Sequence, residues 1–151
     1  MTREELLNAY AAGQRDFSGA VLSEVDLTGA ELAGVNLFGA DMYRSNIAGA
    51  CFAGASLAYT YMPMATMIGT NFHGADLSKA YLSKGDLRFA DMRRVNLRGA
   101  YLIGANLAGV DLTDADLSRA NLSLADLAGA TLCRVTLCGA TIDGVRMHDE
   151  L

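Results

Sequence analysis

Side chains that could act as nucleophiles, metal ligands or acid–base catalysts are few and scattered. The 151 residues include two histidines, His73 and His148, and three cysteines, Cys51, Cys133 and Cys138. Neither histidine belongs to the kind of cluster that a catalytic or metal site requires. Aspartates are frequent, but they recur with a short repeat, so carboxylate pairs are expected by chance. We therefore expect a protein that is not an enzyme and that holds no cofactor or metal.

The residues that position all others recur every fifth residue. A large apolar residue occupies each fifth position from Phe17 to Met147, here called the central column. Two residues earlier, from Ala20 to Val145, a small column holds only Ala, Val, Ser, Thr or Gly. A period of five fits neither a strand nor an amphipathic helix, and it indicates a solenoid of stacked units. The core-defining residues are then central leucines such as Leu27, Leu37, Leu77, Leu97, Leu107, Leu117 and Leu127.

Individual units resemble those of a known family. Ala75-Asp76-Leu77-Ser78-Lys79 and Ala115-Asp116-Leu117-Ser118-Arg119 are similar to the A-(D/N)-L-x-x units of pentapeptide-repeat proteins, and the register is unbroken. The resemblance implies an all-β solenoid, a right-handed quadrilateral β-helix with four units per coil. The 26 units from Ala20 to Val145 would then form about six and a half coils. At roughly 4.8 Å per layer the rod would be about 30 Å long.

The N-terminal residues predict a short capping helix. Thr2 and Glu5 have the spacing of a capping box, and Gly13 is a plausible stop. We expect a helix from about Thr2 to Ala12 that covers the first coil with Leu6, Leu7 and Tyr10. Residues 1–13 would form this cap and residues 14–151 the β-helix, as a single domain. The segment also resembles the lead-in of many cyanobacterial members of the family.

The C-terminal coil is expected to have an exposed edge and end face, because the repeats run to Met147 and the sequence stops at Leu151. A homodimer through this coil would cover the end, as the resemblance implies for some family members. The alternative is that the polar tail His148-Asp149-Glu150 lies over it. The sequence leaves both arrangements open.

Four units per coil would stack residues that lie 20 apart, and this aligns three tyrosines. We call Tyr61, Tyr81 and Tyr101 the tyrosine ladder. Each precedes a central residue and should point outward, which makes the ladder a candidate protein-contact surface, since tyrosine is enriched at interfaces. The structural alternative is that the stacked rings only stabilise neighbouring layers.

Six cations within about one coil form a basic belt. Arg88, Arg93 and Arg98 follow the central residue on three successive faces, so they should wrap around the rod. The belt is either solvated and paired with nearby carboxylates or a contact for an anionic or acidic partner. Its full membership is Lys79, Lys84, Arg88, Arg93, Arg94 and Arg98.

Composition narrows the classes of function. The net charge of −5 argues against direct nucleic-acid binding, which needs a basic surface. The sequence has no apolar run of membrane-spanning length and no secretory signal, and three unpatterned cysteines suggest a reducing cytoplasm. We therefore expect a cytoplasmic protein that contacts no membrane.

The sequence leaves two hypotheses for the function. The leading hypothesis is a non-enzymatic scaffold that binds an unknown protein partner through a flat face. The alternative, which the resemblance implies, is a DNA mimic that inhibits or protects a type II topoisomerase, DNA gyrase. The modest charge, the basic belt, the short length and the absence of a projecting loop weaken this alternative, although a C-terminal dimer would double the length.

Overall fold

A short helix precedes a continuous stack of five-residue units in the computed structural model, which describes residues 1–147. Helix α1 spans Arg3–Ala11. Parallel β-bridges then join residues 20 apart, from Asp16 with Asn36 to Asp126 with Arg146. Each extended piece is so short that it contributes one bridging residue before the chain turns. Four five-residue units therefore separate each residue from the one stacked on it.

The Asp or Asn of each unit shapes the turn that follows it. Asp76 Oδ1, for example, accepts a 2.9 Å hydrogen bond from the Ser78 N–H, and the Ala80 N–H closes the turn on the Leu77 carbonyl at 3.1 Å. The third turn residue has a positive φ, such as +68° at Gly29, which glycine adopts at no steric cost. The recurrence of Asp, Asn and Gly in the sequence follows from this geometry.

The two apolar columns form one continuous core. Phe52 and Phe72 stack at its centre with ring centroids 6.0 Å apart. Burial of each large central side chain contributes about 1.5–3 kcal/mol before conformational entropy is subtracted. The central leucines singled out in the sequence are between 0% and 7% exposed: Leu27, Leu37, Leu77, Leu97, Leu107, Leu117 and Leu127.

Helix α1 closes the N-terminal end of the core. Leu6 is fully buried against it, and Leu7 and Tyr10 pack at its margin. Thr2 Oγ1 accepts a 3.1 Å hydrogen bond from the Glu5 N–H, which is one half of the predicted capping box. The helix begins one residue later and ends one residue earlier than the sequence predicted, a difference within ordinary fraying.

Donors from the helix region also satisfy carbonyls of the first coil that have no preceding layer. In later coils such carbonyls accept from the layer before, as Asp41 O accepts from Leu22 N at 2.7 Å. The N-terminal segment therefore caps both the apolar end and the backbone edge. The substitute bonds are Met1 N to Val21 O (2.9 Å), Arg3 Nη1 to Asp26 O (3.0 Å) and Thr28 O (3.2 Å), and Tyr10 Oη to Ala33 O (2.7 Å).

The C-terminal end of the described stack is open. Leu137, Ile142 and Met147 are exposed around an apolar hollow of about 290 Å³. Within residues 1–147 the N–H groups of Leu132, Leu137 and Ile142 have no acceptor. The tail His148-Asp149-Glu150, which the sequence offers as one cover for this end, lies outside the described residues.

Candidate protein-contact surface

The 20-residue register brings the tyrosine ladder together. Tyr61 is bridged to Tyr81 and Tyr81 to Tyr101. The first pair of rings is tilted, with centroids 5.8 Å apart, and the second is stacked at 4.7 Å. The residues are 39–47% exposed, so their rings pack on one another and still present a large part of their area to solvent.

Further aromatic rings extend the surface toward the N-terminal coils. Tyr43 stacks on Tyr61 with centroids 6.1 Å apart. Tyr59 forms a separate pair with Phe38 at 5.4 Å, because both lie at the turn before the ladder face. Phe38 has no special spacing in the sequence, and only the 20-residue register shows that it lies one layer from the turn that carries Tyr59.

Three of the four arginines of the basic belt, Arg88, Arg93 and Arg98, are paired with carboxylates. Arg88 holds Asp86 through Nε to Oδ1 and Nη2 to Oδ2 at 2.8 and 2.7 Å, and Arg93 holds Asp91 at the same distances. These hydrogen bonds keep the pKa of the Asp86 and Asp91 carboxyls below the ordinary value of 3.8. At Arg88 and Arg93 the geometry fits solvated, internally neutralised ion pairs better than an open cationic contact.

Arg98 pairs differently, because its own unit has Asn96 in place of an aspartate. Its Nη1 donates to Asp116 Oδ2 in the next layer at 3.1 Å. The pKa of Asp116 is lowered chiefly by its hydrogen bond with Ser118, and Arg98 adds to the shift. The belt therefore links layers at this one arginine.

A small polar hollow lies where the tyrosine ladder ends, and we call it the cationic notch. It has a volume of about 230 Å³. Asn121 succeeds Tyr101 in the ladder column, and Lys79 and Arg119 occupy turn positions with φ of +58° and +61°. The notch is lined by Lys79, Arg98, Gly99, Ala100, Tyr101, Ser118, Arg119 and Asn121.

Sequence reasoning named Lys79 and Arg98 as part of the belt but missed Arg119. The signal was present, since residues 79, 99 and 119 share one column of the 20-residue register. Clusters counted along the chain do not include it, because Arg119 lies 21 residues after Arg98, the last residue of the belt. The structure thus brings Lys79 and Arg98 of the belt together with Arg119 beside the ladder, whereas Arg88 and Arg93 pair with aspartates of their own units.

None of the three cysteines forms a disulfide. Cys51 is half-buried, and Cys133 and Cys138 are exposed free thiols. Among residues 1–147 no three His, Cys, Asp or Glu side chains come together as metal ligands would. Helix α1, the one helix in that range, is too short to cross a bilayer.

The comparison with known proteins identifies the five-residue repeat as that of a known family. The sequence model of the family described as Pentapeptide repeats matches in eight copies, over residues 16–52, 50–88, 82–119, 90–127 and 120–149. No protein of curated description matches the chain.

Several solved structures are similar in fold. HetL, a pentapeptide repeat protein involved in heterocyst differentiation regulation from the cyanobacterium Nostoc sp. strain PCC 7120, is 24% identical with a TM-score of 0.51, over 97% of this chain and 94% of its own. A pentapeptide repeat protein from the Arabidopsis thaliana thylakoid lumen is 25% identical over 68% of each chain, with a TM-score of 0.53. QnrB1, a plasmid-mediated fluoroquinolone resistance protein, is 17% identical over 86% of this chain and 87% of its own, with a TM-score of 0.42.

HetL and the family model place this chain among right-handed β-helix solenoids, and the chain combines the solenoid with one short helix. The family model extends over almost every unit of the stack, from residue 16 to residue 149. The chain therefore belongs to the pentapeptide-repeat family.

Proposed function

We propose that the protein is a non-enzymatic scaffold that binds another protein through the side of the solenoid that carries the tyrosine ladder. The observation that carries the proposal is the ladder itself, three exposed rings that the β-bridges hold one per layer. Tyrosine offers a large contact area, and rings already fixed by stacking lose little entropy when a partner binds. The ladder is therefore a preorganised contact surface.

The belt arginines Arg88, Arg93 and Arg98 are the weaker candidate contacts. Each already shares its charge with an aspartate, so a partner would have to displace an existing ion pair. Replacement of one exposed ion pair by another yields little free energy. We therefore place the principal contact on the ladder.

The experiment compares affinity capture by the wild-type protein with capture by the Tyr61→Ala, Tyr81→Ala, Tyr101→Ala triple variant. The control is the Phe89→Ala, Leu124→Ala double variant, which removes two of the most exposed apolar side chains outside the ladder. We expect a partner that the wild type and the control retain and the triple variant loses, while circular dichroism shows all three folded. Equal capture by the triple variant would contradict the proposal.

Inhibition or protection of DNA gyrase is the second candidate. The specific observation in its favour is that Arg88 and Arg93 are neutralised by Asp86 and Asp91, so these two arginines do not offset the acidic charge of the rest of the rod. A supercoiling assay with purified gyrase tests it directly. Dose-dependent inhibition would make the acidic faces the functional surface, and no effect would remove this candidate.

We also propose that two copies associate through the C-terminal coil. The apolar hollow and the exposed Leu137 and Ile142 support this contact. A two-fold contact would bring the unpaired N–H groups of this end face to face with the same N–H groups of the second copy. Because donors cannot pair with donors, side-chain packing rather than continued β-pairing must hold the dimer. Sedimentation should show a dimer that Ile142→Glu dissociates and that Val21→Glu, exposed at the other end, leaves intact; a wild-type monomer would rule it out.

The shape that we infer for the scaffold is a four-sided rod of about six and a half coils over residues 14–151, with residues 1–13 as its cap. The support is the combination of a turn in every five-residue unit and bridges between residues 20 apart. Four flat sides would place the ladder on one face and the paired belt arginines mainly on others.

A further inference from the structure

The cationic notch places positive charge that is outside any ion pair directly beside the tyrosine ladder. Several arginines of the stack are matched to aspartates, as Arg88 is with Asp86 and Arg134 with Asp114. Within residues 1–147, neither Lys79 nor Arg119 takes part in an ion pair or a side-chain hydrogen bond. Three cations therefore line the notch or its rim, and the one carboxylate paired there, Asp116, is engaged by Arg98.

The missing side chain at Gly99 gives Lys79 its place in the notch. Lys79 Cδ and Cε lie 2.9 Å from the position that a Cβ on residue 99 would take, and its Nζ lies 3.7 Å from it. The lysine therefore lies across the next layer and brings its ammonium toward the notch. A larger residue at position 99 would have to displace it.

Neutral donors and an aromatic wall complete the notch. Asn121 Oδ1 accepts from the Ser123 N–H at 3.0 Å and from its hydroxyl at 2.7 Å, which leaves the Nδ2 amide as a donor. Tyr101 lines the notch and is also the last ring of the ladder. An anion bound here would thus meet two cations outside any ion pair and an amide beside a stacked tyrosine pair.

We propose that the cationic notch binds an anionic group, a carboxylate or a phosphate monoester, on an acidic segment of a partner protein whose apolar or aromatic residue lies on Tyr81 and Tyr101. This inference rests on the proposed scaffold function and names the chemistry of its partner. The ladder supplies contact area, which tolerates many sequences. The notch supplies the charge selection, which fixes where along the ladder the segment sits.

The first test uses small probes that carry both parts of the expected ligand. Phenyl phosphate and benzoate are titrated into ¹⁵N-labelled protein, with inorganic phosphate and phenol as half-probes. We expect the amide signals of Gly99, Arg119 and Asn121 to shift with an aromatic anion and to shift less with either half-probe. The comparison of phenyl phosphate with benzoate identifies which anion the notch prefers.

Matched variants localise the effect. Lys79→Gln with Arg119→Gln should weaken phenyl phosphate binding by about tenfold or more, because charge-assisted bonds dominate the site. The control is Lys84→Gln with Arg94→Gln, two cations with the same turn conformation, φ of +57° and +58°, in other columns. The inference would be overturned if the notch amide signals of the wild type did not shift on addition of phenyl phosphate or benzoate. It would also be overturned if phenyl phosphate produced equal shifts in the two double variants.

The result is separable from the fate of the scaffold proposal. If the probes bind the notch but the ladder triple variant still captures the partner, the notch stands as an anion site and the scaffold contact lies elsewhere. If the triple variant loses the partner while Lys79→Gln with Arg119→Gln keeps it at full affinity, the ladder stands and the acidic-partner inference is wrong.

Discussion

The rings of Tyr81 and Tyr101 lie parallel, with planes 6° apart and centroids 4.7 Å apart, although neither residue is buried. The next pair is different, since Tyr61 is tilted by 59° against Tyr81 and stacks instead with Tyr43. The ladder thus has a tightly stacked end beside the cationic notch and a looser end toward the N-terminal coils. Its structural and contact roles therefore need to be measured ring by ring.

A double-mutant cycle measures the structural role of the stacked end. Tyr81→Ala and Tyr101→Ala should show a coupling of about 0.5–1.5 kcal/mol in the free energy of unfolding, as expected for a stacked pair. The cycle of Tyr61→Ala with Tyr101→Ala should show coupling near zero, because those rings are two layers apart. Urea unfolding provides both values, and equal coupling in the two cycles would contradict direct stacking.

The buried hydroxyl of Ser45 should destabilise the fold. Its Oγ has no hydrogen-bond partner within the described residues, and the side chain is fully buried in the small column, where alanine is the commonest residue. Ser45→Ala should raise the free energy of unfolding by about 1 kcal/mol, because an unsatisfied polar group is removed.

Thr70 provides the matched comparison for Ser45, since it lies in the same column but its Oγ1 donates to Ile47 O at 2.8 Å. Thr70→Val should lower stability by about 1 kcal/mol through loss of this hydrogen bond. A loss of stability in Ser45→Ala similar to that in Thr70→Val would show that the Ser45 hydroxyl is satisfied in solution.

Backbone strain at the turns is testable without changing any packing. Glu24 holds a φ of +59°, whereas Gly29 in the next unit holds +68° and a Cβ there would meet nothing within 4 Å. We expect Glu24→Gly to stabilise and Gly29→Ala to destabilise the protein, each by about 1 kcal/mol, because L side chains disfavour this conformation. Thermal unfolding that ranks the two variants in the opposite order would refute the strain.

The core was predictable because its signal is periodic. The central column can be identified without knowing which residues contact one another, since each large residue packs on the equivalent residue one layer away. The number of units per coil was not fixed by the period, and it came from the family resemblance before the bridges showed a register of 20. With that register the alignment of Tyr61, Tyr81 and Tyr101 followed directly from the numbering.

Pairings between side chains were less predictable, because long side chains choose among several acceptors. Arg88 and Arg98 hold equivalent positions in their units, yet Arg88 bonds within its own unit and Arg98 reaches Asp116 in the next layer. The difference depends on the residue two places before each arginine. This residue is Asp86 for Arg88 and Asn96 for Arg98. The notch depends on a further detail, the absence of a side chain at Gly99, whose contact with Lys79 appears only once the layers are stacked.

The ion pairs of the belt predict how stability responds to acid. The pKa of Asp86 is lowered first by its hydrogen bond with Arg88, and that of Asp91 likewise by Arg93, from an ordinary value of 3.8. The folded protein therefore holds fewer protons than the unfolded chain between the lowered values and 3.8. The stabilisation is fully present above the unfolded value and is lost as the pH falls through the folded values.

We expect the free energy of unfolding to be nearly flat at neutral pH and to decline below about pH 4. The Asp86→Asn, Asp91→Asn double variant should be less stable at neutral pH and should decline less steeply in acid, because two of the groups that take up protons are gone. Asp143→Asn is the control, since that carboxylate forms no ion pair within residues 1–147. Urea unfolding from pH 7 to pH 3 measures all three proteins, and parallel curves for the double variant and the wild type would show that these pairs do not hold in solution.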